Sequence, residues 1–186
     1  APGGGEIVVA VPSGWEERVR DWCRDFRKVF RVVAGGESRQ ESVRRAFEAL
    51  SKGVETVLVH DAARPLVSPE VISRVIRAVE ERGAALAALP VRDTVKRVSG
   101  EGQVVATISR EGLWLAQTPQ GARRAWLEEA FRRAGGCEFT DEAGLLEAAG
   151  FPVFVVPGDP RNLKLTYPED LAFLAAFLRL DKDQNL

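Results

Sequence analysis

Residues 54–90 read VETVLVHDAARPLVSPEVISRVIRAVEERGAALAALP, and this stretch decides the fold. Val54 to His60 is almost wholly apolar, the composition of a strand covered on both faces rather than one that alternates against solvent. It breaks at Asp61. A helix is expected from about Pro69, where proline suits the first turn, to Arg82, and Ala84 to Pro90 makes a second buried strand. Strand, crossover helix and strand form a βαβ unit, the building block of a parallel sheet.

The same alternation continues towards the N-terminus. Glu6 to Val11 reads as a strand ended by Pro12, Trp15 to Phe26 as a helix, and Phe30 to Val33 as a strand running into Ala34-Gly35-Gly36. From Glu37 to Leu50 the apolar residues Val43, Ala46, Phe47 and Leu50 recur at helical spacing. Beyond Pro90 the period changes. Thr94 to Val98, a Gly100-Glu101-Gly102 turn and Val104 to Ile108 look like an antiparallel excursion, so residues 91–115 are expected to protrude as an arm. Helices are then expected over Ala122–Ala134, after Thr140-Asp141-Glu142 and over Pro168–Leu180, with a strand Val153–Val156 and a polar tail Asp181–Leu186. The expectation is one α/β domain over residues 1–186, a doubly wound, mostly parallel sheet with ligands beyond the carboxyl ends of its strands.

Composition agrees. With 186 residues, 45% hydrophobic and 28% charged, the chain has the size and make-up of roughly one folded domain. The 26 basic and 27 acidic residues leave a net charge of −1, which gives no electrostatic reason to expect nucleic acid, though a small basic pocket for one phosphorylated ligand would not show in that total. No apolar run reaches the roughly 18 to 20 residues that span a bilayer, and residues 1–5 lack the pattern of a secretory signal, so a soluble, cytoplasmic protein without membrane contact is expected. Cys23 and Cys137 with a single His make neither a disulfide framework nor a zinc cluster, and both thiols are expected to be packed. There is no Met even at position 1, so residue 1 is not expected to be the native start.

Three groups of residues have the chemistry of a site. His60-Asp61-Ala62-Ala63-Arg64 places an acid and a base at the end of a buried strand; Asp61 could orient a metal or a ribose and Arg64 could meet phosphate, or Asp61 could cap the next helix and pair with Arg64. His60 reads as a hydrogen-bonded sheet-edge residue, because no Ser or Cys nucleophile occupies a recognisable elbow. Gly35-Gly36-Glu37-Ser38-Arg39-Gln40-Glu41-Ser42 opens a helix, where free amides suit an anion or a base edge, although two glycines also mark an ordinary tight turn. Thr94, Lys96, Arg110, Thr118, Thr140, Lys164 and Thr166 are scattered at strand ends and loops, the mixture a phosphate pocket needs if they converge.

Taken in order, VAGGESRQESV (33–43), VLVHDAARP (57–65), ALPVRDTVKRV (88–98), ISREGLWLAQTPQG (108–121), FTDEAGLLEAAG (139–150) and GDPRNLKLTYPEDL (158–171) closely resemble the 2-C-methyl-D-erythritol 4-phosphate cytidylyltransferases of the non-mevalonate isoprenoid pathway. The resemblance covers nearly the whole chain. It implies a Rossmann-like nucleotidyltransferase that joins CTP to methylerythritol phosphate, releasing pyrophosphate, with Mg²⁺ carried mainly by the CTP phosphates. It also implies residue roles. Gly36, Glu37 and Ser42 would contact the nucleotide, and Asp61, Ala62 and Arg64 would lie near ribose and substrate. Thr94, Arg110, Thr118 and Thr140 would contact methylerythritol phosphate, and Lys164 would be a cation shared by both ligands' phosphates. Arg110 and Lys164 would be the catalytic cations, with no metal ligand assigned to the chain. The family's arm exchanges between subunits, which implies a homodimer in which Arg110 serves the partner's site.

The family pattern opens with a strand and a glycine-rich loop that these residues do not contain, so that segment is expected to exist although it is not in the sequence. Without it, each lost phosphate contact would cost about 3 kcal/mol, or roughly a hundredfold in rate. A fused second enzyme is not expected within this length. A ribitol or other polyol phosphate cytidylyltransferase and a catalytically silent nucleotide-binding module are the alternatives, with DAARP and DTVKR favouring methylerythritol phosphate.

Overall fold

In the computed structural model, which describes residues 5–183, the chain runs β1 (Ile7–Val11), α1 (Glu16–Trp22), β2 (Val29–Ala34), α2 (Arg39–Glu48), β3 (Thr56–Val59), α3 (Pro69–Arg82) and β4 (Ala84–Pro90). It continues through β5 (Val95–Val98), β6 (Val104–Ile108), β7 (Trp114–Arg123), α4 (Arg124–Arg133), α5 (Glu142–Ala148), β8 (Phe154–Pro157) and α6 (Asp170–Asp183). Helices α2, α3 and α5 start where Ser38, Ser68 and Asp141 accept a backbone N–H from the first turn. Helix α3 ends at Gly83, whose φ of 94° favours glycine and whose missing Cβ makes room for the Trp126 ring.

The α/β class expected from the sequence is the class found, but the main sheet is mixed. Its order is β3-β7-β4-β8, with β4 and β8 parallel and β7 antiparallel to both neighbours. Strands β3 and β4 thus share a direction, as a βαβ unit requires, yet do not pair. The connectivity explains the reversal. Strand β4 delivers the chain to the carboxyl edge, the arm leaves and returns there, and the next strand must run back down. The arm's base is closed by Val91 N–H to Leu113 O and Leu113 N–H to Arg110 O, each 3.0 Å. Strand β7 is absent from the pattern reading because Gln117, Thr118, Pro119 and Gln120 look like a loop, whereas all four are buried. Strands β1 and β2 pair in parallel as a separate sheet, and β5 pairs antiparallel with β6 as the arm.

Helices cover both faces of the main sheet. On one face Val71, Val75 and Val79 of α3 pack with Ala85 and Ala87; on the other, Leu127, Leu145 and Leu146 pack with Ala84, Ala122, Val57 and Phe47. Alternate alanines of β4 serve opposite layers, so small residues let both layers approach closely. Each buried Val or Leu contributes roughly 1.5–3 kcal/mol of transfer free energy. Helix α1 stops earlier than expected, α6 runs on into the expected tail, whose last residues 184–186 lie outside the described ones, and Cys137 is exposed rather than packed because it follows α4 in an open loop. No described helix is long and apolar enough to cross a membrane.

Candidate active site

Strand β3 ends at Val59 and hands the chain to His60 and Asp61 at the sheet edge, where β7 fixes them. The Asp61 N–H donates to Thr118 Oγ1 at 3.0 Å, and the same hydroxyl lies 3.0 Å from His60 Nδ1. His60 Nε2 lies 3.0 Å from Arg64 O, so His60 is the hydrogen-bonded edge residue its position implied. The loop after β8 is tied to the same place. Asn162, fully buried, donates from Nδ2 to Thr118 O at 2.7 Å; Gln117 donates to Asp159 O at 3.0 Å; and Leu165 N–H donates to Ala63 O at 2.8 Å. These bonds bring Lys164 beside Asp61.

There the charges gather. Asp61 Oδ2 is 3.1 Å from Lys164 Nζ and 3.9 Å from Arg64 Nε, while Oδ1 accepts from Arg39 Nε and Nη2 at 3.2 and 3.1 Å. Arg39 also grips buried Glu142, with Nη1 to Oε1 at 2.7 Å and Nη2 to Oε2 at 2.9 Å. Three cations thus face two carboxylates at one strand-end mouth. Burial pushes the Asp61 carboxyl up, but the hydrogen bond from Lys164 and the charges of Arg39 and Lys164 outweigh it and hold the group below the usual carboxylate range. Arg39 is held charged chiefly by its bond to Glu142, whereas burial lowers Arg64. Arg64 Nη1 donates to Asn162 O at 2.8 Å, and its Nε is buried without a hydrogen-bond partner among the described residues. Asp61 does not cap the next helix; Ser68 does, and the Arg64 pairing is the longest of its three.

The glycine loop differs from the open cradle expected. The Gly36 N–H donates to Ser42 Oγ at 2.9 Å and the Glu37 N–H to Glu41 Oε2 at 3.0 Å, so the amides thought free for an anion are answered by the chain's own side chains. Unpaired N–H groups are costly, and side chains one helical turn away fill them. Gly36 has no room for a Cβ, which would run into the Glu41 side chain. Ser42 donates in turn to Ser38 O at 2.9 Å and so shapes the loop.

The structure therefore joins Asp61, Arg64, Thr118 and Lys164, with Ala62 exposed beside them. Thr118 is only 4% exposed, its hydroxyl turned to the Asp61 loop. Thr140 is exposed just before the cap Asp141, which Gln120 holds at 2.9 Å. Thr94 and Arg110 are exposed on the arm, and among the described residues neither is bonded to the Asp61 cluster; Arg110 donates to Arg92 O. The sequence reading assigned no role to Arg39, Glu142, Gln117 or Asn162. Arg39 and Glu142 did lie inside the quoted strings, but a charged residue in a first helical turn ordinarily reads as a solvated end.

A geometry of this kind, cations around one acid beyond the sheet's carboxyl edge, suits a ligand with several phosphate groups. The family model for 2-C-methyl-D-erythritol 4-phosphate cytidylyltransferase (IspD) matches residues 3–180. The bifunctional enzyme IspD/IspF of Anaeromyxobacter sp. (strain Fw109-5) is 52% identical over 172 residues, covering 90% of this chain and 44% of that protein. The 2-C-methyl-D-erythritol 4-phosphate cytidylyltransferase of Syntrophus aciditrophicus (strain SB) is 41% identical over 182 residues, 95% of this chain and 78% of that one. The crystal structure of 2-C-methyl-D-erythritol 4-phosphate cytidylyltransferase from Thermus thermophilus superposes with a TM-score of 0.79 at 40% identity, covering 94% of this chain and 82% of that one. The chain thus spans less than half the length of the bifunctional relative and about four fifths of the other two.

Proposed function

The chain belongs to the 2-C-methyl-D-erythritol 4-phosphate cytidylyltransferase family, and from that premise we propose that it joins CTP to 2-C-methyl-D-erythritol 4-phosphate, giving 4-diphosphocytidyl-2-C-methyl-D-erythritol and pyrophosphate. One observation carries the reading: Arg39, Arg64 and Lys164 converge on Asp61 at the open end of the sheet, an excess of cations that includes a buried guanidinium nitrogen without a hydrogen-bond partner among the described residues. In the reaction a phosphate oxygen of the alcohol phosphate attacks the α-phosphorus of CTP. A new phosphorus–oxygen bond forms, the bond from the α-phosphorus to the bridging oxygen breaks, and pyrophosphate leaves with the electron pair. The nucleophile is already an anion, so no general base is required; orientation and charge neutralisation supply the acceleration.

Each residue then has a task. Lys164, half exposed, swings from Asp61 to the phosphates of both ligands, and Arg64 meets the phosphate side. Asp61 and Ala62 face ribose and substrate, Gly36 and Glu37 read the nucleotide, and Ser42 keeps that loop in shape. Thr140 contacts the alcohol phosphate beside α5, and Thr118 holds the Asp61 loop at the correct height. Thr94 and Arg110 reach the site of a partner subunit. The arm supports a homodimer, because Val98, Val104 and Val105 are each more than half exposed and Trp114 and Leu115 at its base are also open to solvent. A cytoplasmic location is part of the same proposal.

Magnesium belongs to the proposal through the nucleotide. Among the described residues no group of three His, Cys, Asp or Glu is arranged to hold a metal, and Mg²⁺ commonly takes one or two carboxylates plus substrate phosphates. Both Asp61 oxygens are held by cations, so the ion would be carried mainly by the CTP phosphates rather than by a carboxylate of the chain. When bound, the ion neutralises phosphate charge and makes the α-phosphorus more electrophilic.

The test is pyrophosphate release by the full natural polypeptide containing these residues, with CTP and Mg²⁺. Release should depend on methylerythritol phosphate, with ribitol 5-phosphate supporting less than about a tenth of the rate. CTP binding without pyrophosphate release would identify a silent nucleotide-binding module instead.

A further inference from the structure

We propose that Arg39, anchored by Glu142, is a positioning residue that shares the charge of Asp61 and so leaves Lys164 free to pass from that carboxylate to a ligand phosphate; this rests on the function proposed above. Four charges form a chain across four elements: Glu142 at the start of α5, Arg39 at the start of α2, Asp61 after β3 and Lys164 after β8. The two ends differ in side-chain exposure, 5% at Glu142 against 46% at Lys164, with Arg39 at 33% and Asp61 at 14% between them. The buried end is an anchor. Both Glu142 oxygens are bound by Arg39, and abandoning a buried, bidentate pair would leave an uncompensated charge inside the protein.

That anchor fixes the plane of the guanidinium, whose other edge meets only Oδ1 of Asp61. Lys164 is left with Oδ2. Two consequences follow from the division. A carboxylate already shared with Arg39 attracts Lys164 less strongly than a bare one would, so exchange to phosphate is easier. After the exchange Asp61 still holds one charged partner, so it stays ionised and oriented while Lys164 is engaged elsewhere. Arg39 directly follows the Gly36–Ser38 loop and Glu142 follows Thr140-Asp141, so the pair also locks the nucleotide side of the mouth to the phosphate side.

The double variant R39Q/E142Q keeps two hydrogen-bonding side chains in the buried position and removes the charges, and R39K keeps a charge without the planar fork. Two quantities are measured in the full natural polypeptide: the rate at which acetic anhydride labels Lys164, read by mass spectrometry without ligand, and kcat and KM for CTP. In R39Q/E142Q, Lys164 should label several-fold more slowly because Asp61 holds it harder, and kcat should fall roughly ten- to a hundredfold with KM for CTP within about threefold. R39K should recover part of kcat. Unchanged or faster Lys164 labelling overturns the proposal, as does unchanged kcat in a folded double variant. A wild-type protein that releases no pyrophosphate would overturn the function proposed above, while the labelling rate would still decide the role of Arg39.

Discussion

Asp61 answers three cations with one carboxylate, and its ionisation is therefore linked to folding. Its pKa in the folded protein lies below the usual range, so its contribution to stability is present above the unfolded-state value of about 4 and is lost as pH falls through the folded value. Urea midpoints of wild type and D61N are expected to differ at neutral pH and to converge as pH falls below the unfolded-state value and through the lower folded one. A gap that stays constant down to acid pH contradicts the linkage. Lys164 is different in kind, because a half-exposed side chain contributes little to packing. K164M should fold with a slightly lowered thermal midpoint, because Asp61 loses one of its charged partners, and lose roughly a hundred- to a thousandfold in kcat; near-wild-type turnover would remove Lys164 from the chemistry. Asp61, Arg64 and Lys164 were legible in the sequence because each ends a strand or follows one. Glu142 was not, because its partner lies 103 positions away and nothing local marks a buried acid.

At the scale of elements, the strongly periodic segments were the readable ones. Helix α3 and strand β4 stand where apolar spacing put them, and the arm's β6 matches its expected limits. Strand β7 was unreadable for a physical reason: Gln117 and Gln120 are buried polar residues whose amides are consumed by the loops after β8 and before α5, so polarity that looks like solvent contact is internal wiring. The core layers make a quantitative expectation. Leu127, 1% exposed on the buried face of α4, should cost about 2–5 kcal/mol when replaced by Ala, measured by denaturant unfolding. A cost below that range would mean that the layer on this face of β4 collapses around the gap. The arm makes a second one. V104E/V105E should turn a dimer into monomers in sedimentation velocity and abolish turnover, whereas an intact, active dimer would show that these valines serve no subunit contact.

The whole molecule is almost neutral, yet its cations are unevenly used: many decorate helices in solvated pairs, and three are drawn to one acid beyond the sheet. On the proposed function, that distribution would let a protein of net charge −1 receive two phosphorylated ligands at one edge. The fold explains the location. Strands β3 and β8 both run towards the mouth, β7 supplies the buried amides that hold their loops, and α2 and α5 point their first turns at the same place. On the proposed function a phosphate oxygen of the alcohol phosphate attacks the α-phosphorus of CTP there. The most direct measurement is ³¹P NMR of the products formed from methylerythritol phosphate carrying ¹⁸O in its phosphate oxygens, with CTP and Mg²⁺. The expected result is an isotope-shifted signal at the cytidine-side phosphorus of the new diphosphate, with unlabelled pyrophosphate. Label in the pyrophosphate, or CTP left intact, would overturn that attack.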